Sequence, residues 1–172
     1  MKVVSITAAA AHQGKSINDD FHEFYQLYSE LVYRTSIRVT GNPTDAEDVL
    51  QNVFLRFLNR KITVDPSRSP RAYMRRVATN ASIDLLRRKA AKPETGLEEG
   101  RDRSAPRSSP LLKEMLRSAL GKLPPQDAEL FVLCYLEGFT YEELAGQFEI
   151  ERGTIASRLH RIKAVLKKEL SL

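Results

Sequence analysis

The chain has 172 residues, 42% of them hydrophobic and 28% charged, with a formal net charge of +5. That length accommodates two small helical domains with modest cores, and the basic balance favours a polyanionic partner, either nucleic acid or an anionic membrane surface. A single cysteine and three scattered histidines exclude a disulfide framework and a cysteine- or histidine-built metal site, so no cofactor and no metal are expected.

Residues 1–17 read as a flexible tail. Their apolar stretch is short and interrupted by Ser5 and Thr7, which does not suit a signal peptide, and no apolar run in the chain is long enough to span a bilayer. Gly14-Lys15-Ser16 imitates the end of a phosphate-binding loop, but the first glycine of that motif would fall at Ala9 and no strand signal precedes it. Helical periodicity then dominates two blocks, 18–91 and 110–172. Between them, residues 92–109 are rich in proline, glycine, serine and mixed charge, and nearly devoid of large apolar residues. Such a segment cannot bury enough surface to offset its ordering entropy, so it reads as a flexible linker. The expected architecture is all-α: two small helical domains on a tether.

In the first block, Phe21, Phe24, Tyr25, Tyr28, Leu31 and Val32 recur at helical spacing, predicting a helix from near Asp19 to near Val39 that Gly41-Asn42-Pro43 ends. Thr44 with Glu47 three residues later has the form of a capping box for a second helix. Ala46, Val49, Leu50, Val53, Phe54 and Phe57 give that helix one apolar face, and projection leaves Asp45, Asp48, Asn52 and Leu55 on the far side. A leucine there suits a partner surface, although single exposed leucines are common. After a loop at residues 60–68, Ser69 is placed to cap a third helix with Pro70 at its first position. Arg76, Asn80, Ile83 and Arg87 form a stripe along it. That stripe could touch phosphates and base edges, and an ordinary solvated basic face accounts for it equally well.

The second block carries the most specific local pattern. A helix over Leu111 to Leu120 is followed by Gly121-Lys122-Leu123-Pro124-Pro125 and by an apolar helix from near Gln126 to Glu137, stopped by Gly138. Cys134 lies in its apolar run and is expected to be a buried core thiol. Thr140 and Glu143 form a capping box for a short helix whose inner face is Leu144, Ala145 and Phe148. Residues 149–151 make a turn, and a last helix begins near Gly153. A short capped helix, a turn and a longer helix constitute a helix-turn-helix. Ile155, Leu159, Ile162 and Leu166 mark the buried face of the last helix. Ser157, His160, Arg161 and Lys168 then face outward, with Ala156 and Arg158 at the flanks. Arginine can bind guanine bidentately and alanine can meet a thymine methyl, while Arg152, Lys163, Lys167 and Lys168 suit phosphates. A terminal helix that only packs or dimerises is the weaker reading.

These segments resemble a known family. Ala46-Glu47-Asp48-Val49-Leu50-Gln51-Asn52-Val53-Phe54-Leu55-Arg56 is similar to the region 2 helix of the extracytoplasmic-function (ECF) group of sigma-70 type RNA polymerase sigma factors. So is the stretch from Ala78 to Arg88, with Asn80, Asp84 and Arg87-Arg88. Leu136-Glu137-Gly138-Phe139-Thr140-Tyr141-Glu142-Glu143-Leu144-Ala145 resembles region 4, and Gly153-Thr154-Ile155-Ala156-Ser157-Arg158-Leu159-His160-Arg161 its recognition helix.

The resemblance implies a protein that is not an enzyme, acts in the cytoplasm, binds core polymerase and directs promoter-specific initiation. Asp45, Asp48, Gln51, Asn52 and Leu55 would meet the β′ clamp helices, and the 111–136 helices would hold the β flap. Asp65, Ser67 and Arg68 of the loop, with Arg75, Arg76, Asn80 and Arg87, would open and read the −10 element. Arg152, Thr154, Ala156, Ser157, Arg158, His160, Arg161 and Lys163 would read the −35 element as duplex. Ala156 departs from the lysine or arginine that many relatives carry. An anti-sigma factor is an expected further partner. The rival from another class, an ordinary helix-turn-helix repressor or activator, has no need of the 18–91 block.

Overall fold

A computed structural model of the chain describes residues 17–59, 69–91 and 110–170. The phosphate-loop imitation, the 60–68 loop with Asp65, Ser67 and Arg68, and the linker segment 92–109 lie outside the described residues. The described residues are all-α, in the order α1 Ile17–Thr40, α2 Pro43–Leu58, α3 Pro70–Ala90, α4 Pro110–Lys122, α5 Pro125–Tyr135, α6 Tyr141–Phe148 and α7 Arg152–Glu169. None of these helices is long and apolar enough to cross a membrane. The chain divides into two compact units, with the boundary between Ser82 and Ile83 inside α3.

In the first unit, α1 packs on α2 through an aromatic cluster. The Phe24 and Phe57 rings stack with centroids 3.9 Å apart, Phe21 meets Phe54 edge-on at 6.1 Å, and Tyr25 meets Phe54 at 4.7 Å. Phe24, Val32, Val39, Val49, Val53 and Phe54 are all buried. Each such side chain contributes about 1.5–3 kcal/mol on burial, and a good aromatic pair adds roughly 1 kcal/mol. Hydroxyls also sit in this core. Ser36 Oγ donates to the Val32 carbonyl at 2.8 Å and Thr40 Oγ1 to the Ser36 carbonyl at 2.9 Å, so burial leaves neither unsatisfied.

The connection from α1 to α2 is short because Gly41 takes a left-handed conformation at φ 67, its N–H returning to the Ile37 carbonyl at 2.8 Å. The start of α2 differs from the expectation. Asn42, not Thr44, is the N-cap: its Oδ1 accepts from the Asp45 N–H at 3.2 Å, and Pro43 occupies the first turn. Proline there fixes φ and lacks only an N–H that would have had no helical partner, so it moves the start ahead of the Thr44–Glu47 pattern.

Among the described residues of the second unit, α5, α6 and α7 surround a core of Leu130, Leu133, Leu144, Ile155 and Leu159, joined by Leu120 of α4. Gly138, at φ 74, turns the chain out of α5, and the Phe139 N–H reaches back to the Leu133 carbonyl at 3.0 Å. Thr140 then starts α6 with the expected capping box: Thr140 Oγ1 accepts from the Glu143 N–H at 3.2 Å, and Glu143 Oε2 accepts from the Thr140 N–H at 2.8 Å. Glu149 ends α6 in a left-handed conformation, and α7 follows two residues later. Cys134 is half-buried, not fully buried as its apolar run predicts. It lies at the edge of α5, beside exposed Tyr135.

Candidate functional site

α2 buries Ala46, Val49, Val53 and Phe54, the stripe that its apolar periodicity predicts. Asp48, Gln51, Asn52 and Leu55 are exposed on the other side. Leu55 is 56% exposed, and Leu58, one turn on, is 42% exposed. The pair makes a small apolar spot among polar neighbours. Leu58 escaped sequence reasoning, although its spacing of three from Leu55 was the available signal. Asp45 does not belong to this face: it is buried at 8% exposure. It stands in the first turn, with its N–H held by the Asn42 cap, and projection along a free helix misplaces it.

α3 starts as expected, with Ser69 Oγ accepting from the Ala72 N–H at 3.4 Å. Its predicted stripe loses one member. Arg76 and Asn80 are half-buried and Arg87 is exposed, but Ile83 between them is buried at 2%. Ala78, Thr79, Ala81, Ser82, Ile83, Leu85 and Leu86 are buried, and the less buried side of α3 runs through Arg76, Asn80, Asp84 and Arg87. Arg75, Arg76 and Asn80 each already interact within the chain. Burial raises the pKa of the Tyr73 hydroxyl, and the nearby Arg76 charge opposes that shift.

The helix-turn-helix presents the clearest surface. Ile155, Leu159, Ile162 and Leu166 are the buried residues of α7, as the four-three-four spacing predicts. Thr154, Ala156, Ser157, His160, Arg161 and Lys163 are exposed, as are Lys167 and Lys168. Ser157 Oγ donates to the Thr154 carbonyl at 3.0 Å. Arg152 pairs with Glu142 at 2.5 Å with both side chains mostly in water, a contact worth about 0–1 kcal/mol.

Lys163 lies 4.5 Å above the Tyr135 ring, a cation–π contact. A hydrogen bond with Tyr135 raises the pKa of the Lys163 ammonium. The same neighbourhood acts on Cys134: burial pushes its thiol pKa up, against the Lys163 charge and a Tyr135 hydrogen bond.

Arg158 departs from the expectation. Its guanidinium does not face outward with Ser157 and Arg161 but donates to Asp127 Oδ1 of α5 at 2.6 Å. At the flank of α7, the nearest strong acceptor is a carboxylate on a packed neighbour.

The second unit therefore offers an exposed basic helix face on a capped helix-turn-helix, which can meet phosphates and base edges. The first offers a polar and apolar α2 face of the kind that meets protein. Known proteins pair the same parts. Residues 24–92 match the family model for sigma-70 region 2, and residues 113–166 that for sigma-70 region 4.

The chain is 31% identical over 158 residues to the ECF RNA polymerase sigma factor SigE of Mycolicibacterium smegmatis, covering 87% of this chain and 61% of that relative's length. It is 28% identical to SigW of Bacillus subtilis, over 91% of each protein. Among solved structures, the sigma factor RpoE of Bartonella quintana, in complex with the anti-sigma factor NepR, shares the fold at a TM-score of 0.54 and 20% identity, over 89% of this chain and 98% of that one. With both regions matched in order and relatives aligned along most of its length, the chain belongs to the ECF group of the sigma-70 family of RNA polymerase sigma factors.

Proposed function

We propose that the chain is an alternative sigma factor that binds core RNA polymerase, directs initiation at promoters with paired −10 and −35 elements, and catalyses no reaction itself. The observation that carries this reading is the basic, exposed face of α7 in a chain that also contains a sigma region 2 block. A repressor would need the former and not the latter.

Core polymerase is met by the exposed face of α2, through Asp48, Gln51, Asn52 and Leu55, with Leu58 extending the apolar spot. Asp45 drops out because it is buried. The α4 and α5 helices hold the polymerase flap. The −10 element is read by α3, where Arg87 is exposed and Arg75, Arg76 and Asn80 are half-buried. Asp65, Ser67 and Arg68, outside the described residues, are assigned to the same element. Thr154, Ala156, Ser157, His160 and Arg161 face the −35 duplex, and Arg152 and Lys163 meet phosphates. Work on chromosomal promoters implies a cytoplasmic protein. The RpoE relative was solved with an anti-sigma factor, and a protein inhibitor of that kind is proposed for this chain.

The test is run-off transcription from a genomic promoter library by sigma-free core polymerase with and without the purified chain. Chain-dependent initiation at promoters sharing two elements is expected. Tight, specific binding of duplex by the chain alone, with no initiation, would replace this reading with the helix-turn-helix regulator.

A further inference from the structure

Arg158 sits in the middle of the outward-facing segment of α7, yet its guanidinium is committed elsewhere. Nη2 donates to Asp127 Oδ1 at 2.6 Å, across 31 residues of sequence. The two side chains are 21% and 30% exposed, whereas those of the Arg152–Glu142 pair are 68% and 67% exposed. Water and salt therefore weaken the Arg152 pair far more than the Arg158 pair. Asp127 stands in the first turn of α5, where the helix dipole favours a carboxylate, so the acceptor is anchored by its own helix. The pair itself lines an open cleft of about 430 Å3, together with Leu123, Pro124, Arg161, Ile162 and Val165.

We infer that Asp127 is a specificity-determining residue acting through Arg158: it holds the guanidinium on α5 and removes it from the groups that read duplex DNA. The inference rests on the −35 reading of α7. Guanine recognition needs two N–H groups of the arginine fork aimed together into the major groove. With Nη2 donating to Asp127 and the side chain only 21% exposed, the guanidinium is held on α5 and away from the exposed face, and base reading falls to Ser157, His160 and Arg161. Asp127 thus silences an arginine that already stands at the edge of the recognition face.

The experiment uses the full chain assembled with core polymerase. It compares wild type with Asp127→Asn, Arg158→Lys, Arg158→Ala and the Asp127→Asn/Arg158→Ala double variant. The readouts are selection of −35 sequences from a randomised duplex library and the salt dependence of promoter binding, with thermal unfolding of each variant as a control. Asp127→Asn should release one cation onto the DNA face. Its salt slope should steepen by about 0.9, an extra fall in affinity of about 3.5-fold between 50 and 200 mM salt. Its selected −35 sequences should gain a guanine preference at one position, and the double variant should lose both changes. Arg158→Lys keeps the ion pair without the fork and should select the wild-type sequences.

Loss of a wild-type base preference in Arg158→Lys and Arg158→Ala, with Asp127→Asn unchanged, would make Arg158 a base reader and overturn the inference. Equal weakening of Asp127→Asn and Arg158→Ala, with unaltered slope and preference, would reduce the pair to a brace and also overturn it. Failure of the wild-type chain to initiate at all would remove the −35 reading beneath it, which is a different result from either.

Discussion

α2 and α7 are built alike and end up offering opposite chemistry. Each buries an apolar stripe at helical spacing, Val49, Val53 and Phe54 in one and Ile155, Leu159 and Ile162 in the other. What differs is the other side. α2 turns Asp48, Gln51, Asn52, Leu55 and Leu58 outward, whereas α7 turns Ser157, His160, Arg161, Lys163 and Lys167. The buried stripe secures the helix to its unit, and the outer residues are left to meet a partner. Apolar side chains among neutral and acidic ones suit a protein surface, and cations with hydroxyls suit a nucleic acid.

The comparison breaks first where a stripe is removed. Phe24→Ala takes away the ring stacked on Phe57 and should cost the chain about 3–5 kcal/mol in urea unfolding. A loss under about 1 kcal/mol would mean that the aromatic cluster is not the core holding α2 in place. Next come the outer faces. Leu55→Asp should weaken binding to core polymerase by about 2 kcal/mol, roughly thirtyfold, in a titration of labelled chain, with helicity by circular dichroism unchanged.

Arg161→Ala should do the converse. Core binding should persist while discrimination at one −35 base pair falls by about 1–3 kcal/mol, read from initiation at single-base promoter variants. Equal loss of core binding in both variants would erase the division of labour between the faces. The smallest effect is on the frame itself: Thr140→Ala removes the cap of α6 and should lower the stability of the chain by about 1 kcal/mol in thermal unfolding.

Legibility followed the number of neighbours. α7 was readable from four apolar positions because one face packs and the other is wet along its whole length. The Thr140–Glu143 box was readable because its partners lie three residues apart and need nothing else. At α2 the expected Thr44–Glu47 cap gave way to Asn42-Pro43, because a proline at the first position suits an earlier start. Asp45 and Ile83 were misassigned for a shared reason. Projection treats each helix as lying on one flat surface, whereas packing buries Asp45 in the first turn of α2 and Ile83 amid the buried run of α3. Arg158 was beyond the reach of periodicity altogether, since its partner lies 31 residues away on another helix.

The hydroxyl of Ser157 carries one proton, and the Thr154 carbonyl receives it. Set against a groove, a serine in this state would offer lone pairs only, and what it could accept from is an exocyclic amino group. In the major groove those groups belong to adenine and cytosine, while the guanine edge is all acceptor and would repel it. The proposed −35 surface would therefore place Arg161 and Ser157 on unlike bases: a guanine under the arginine and an amino-bearing base under the serine.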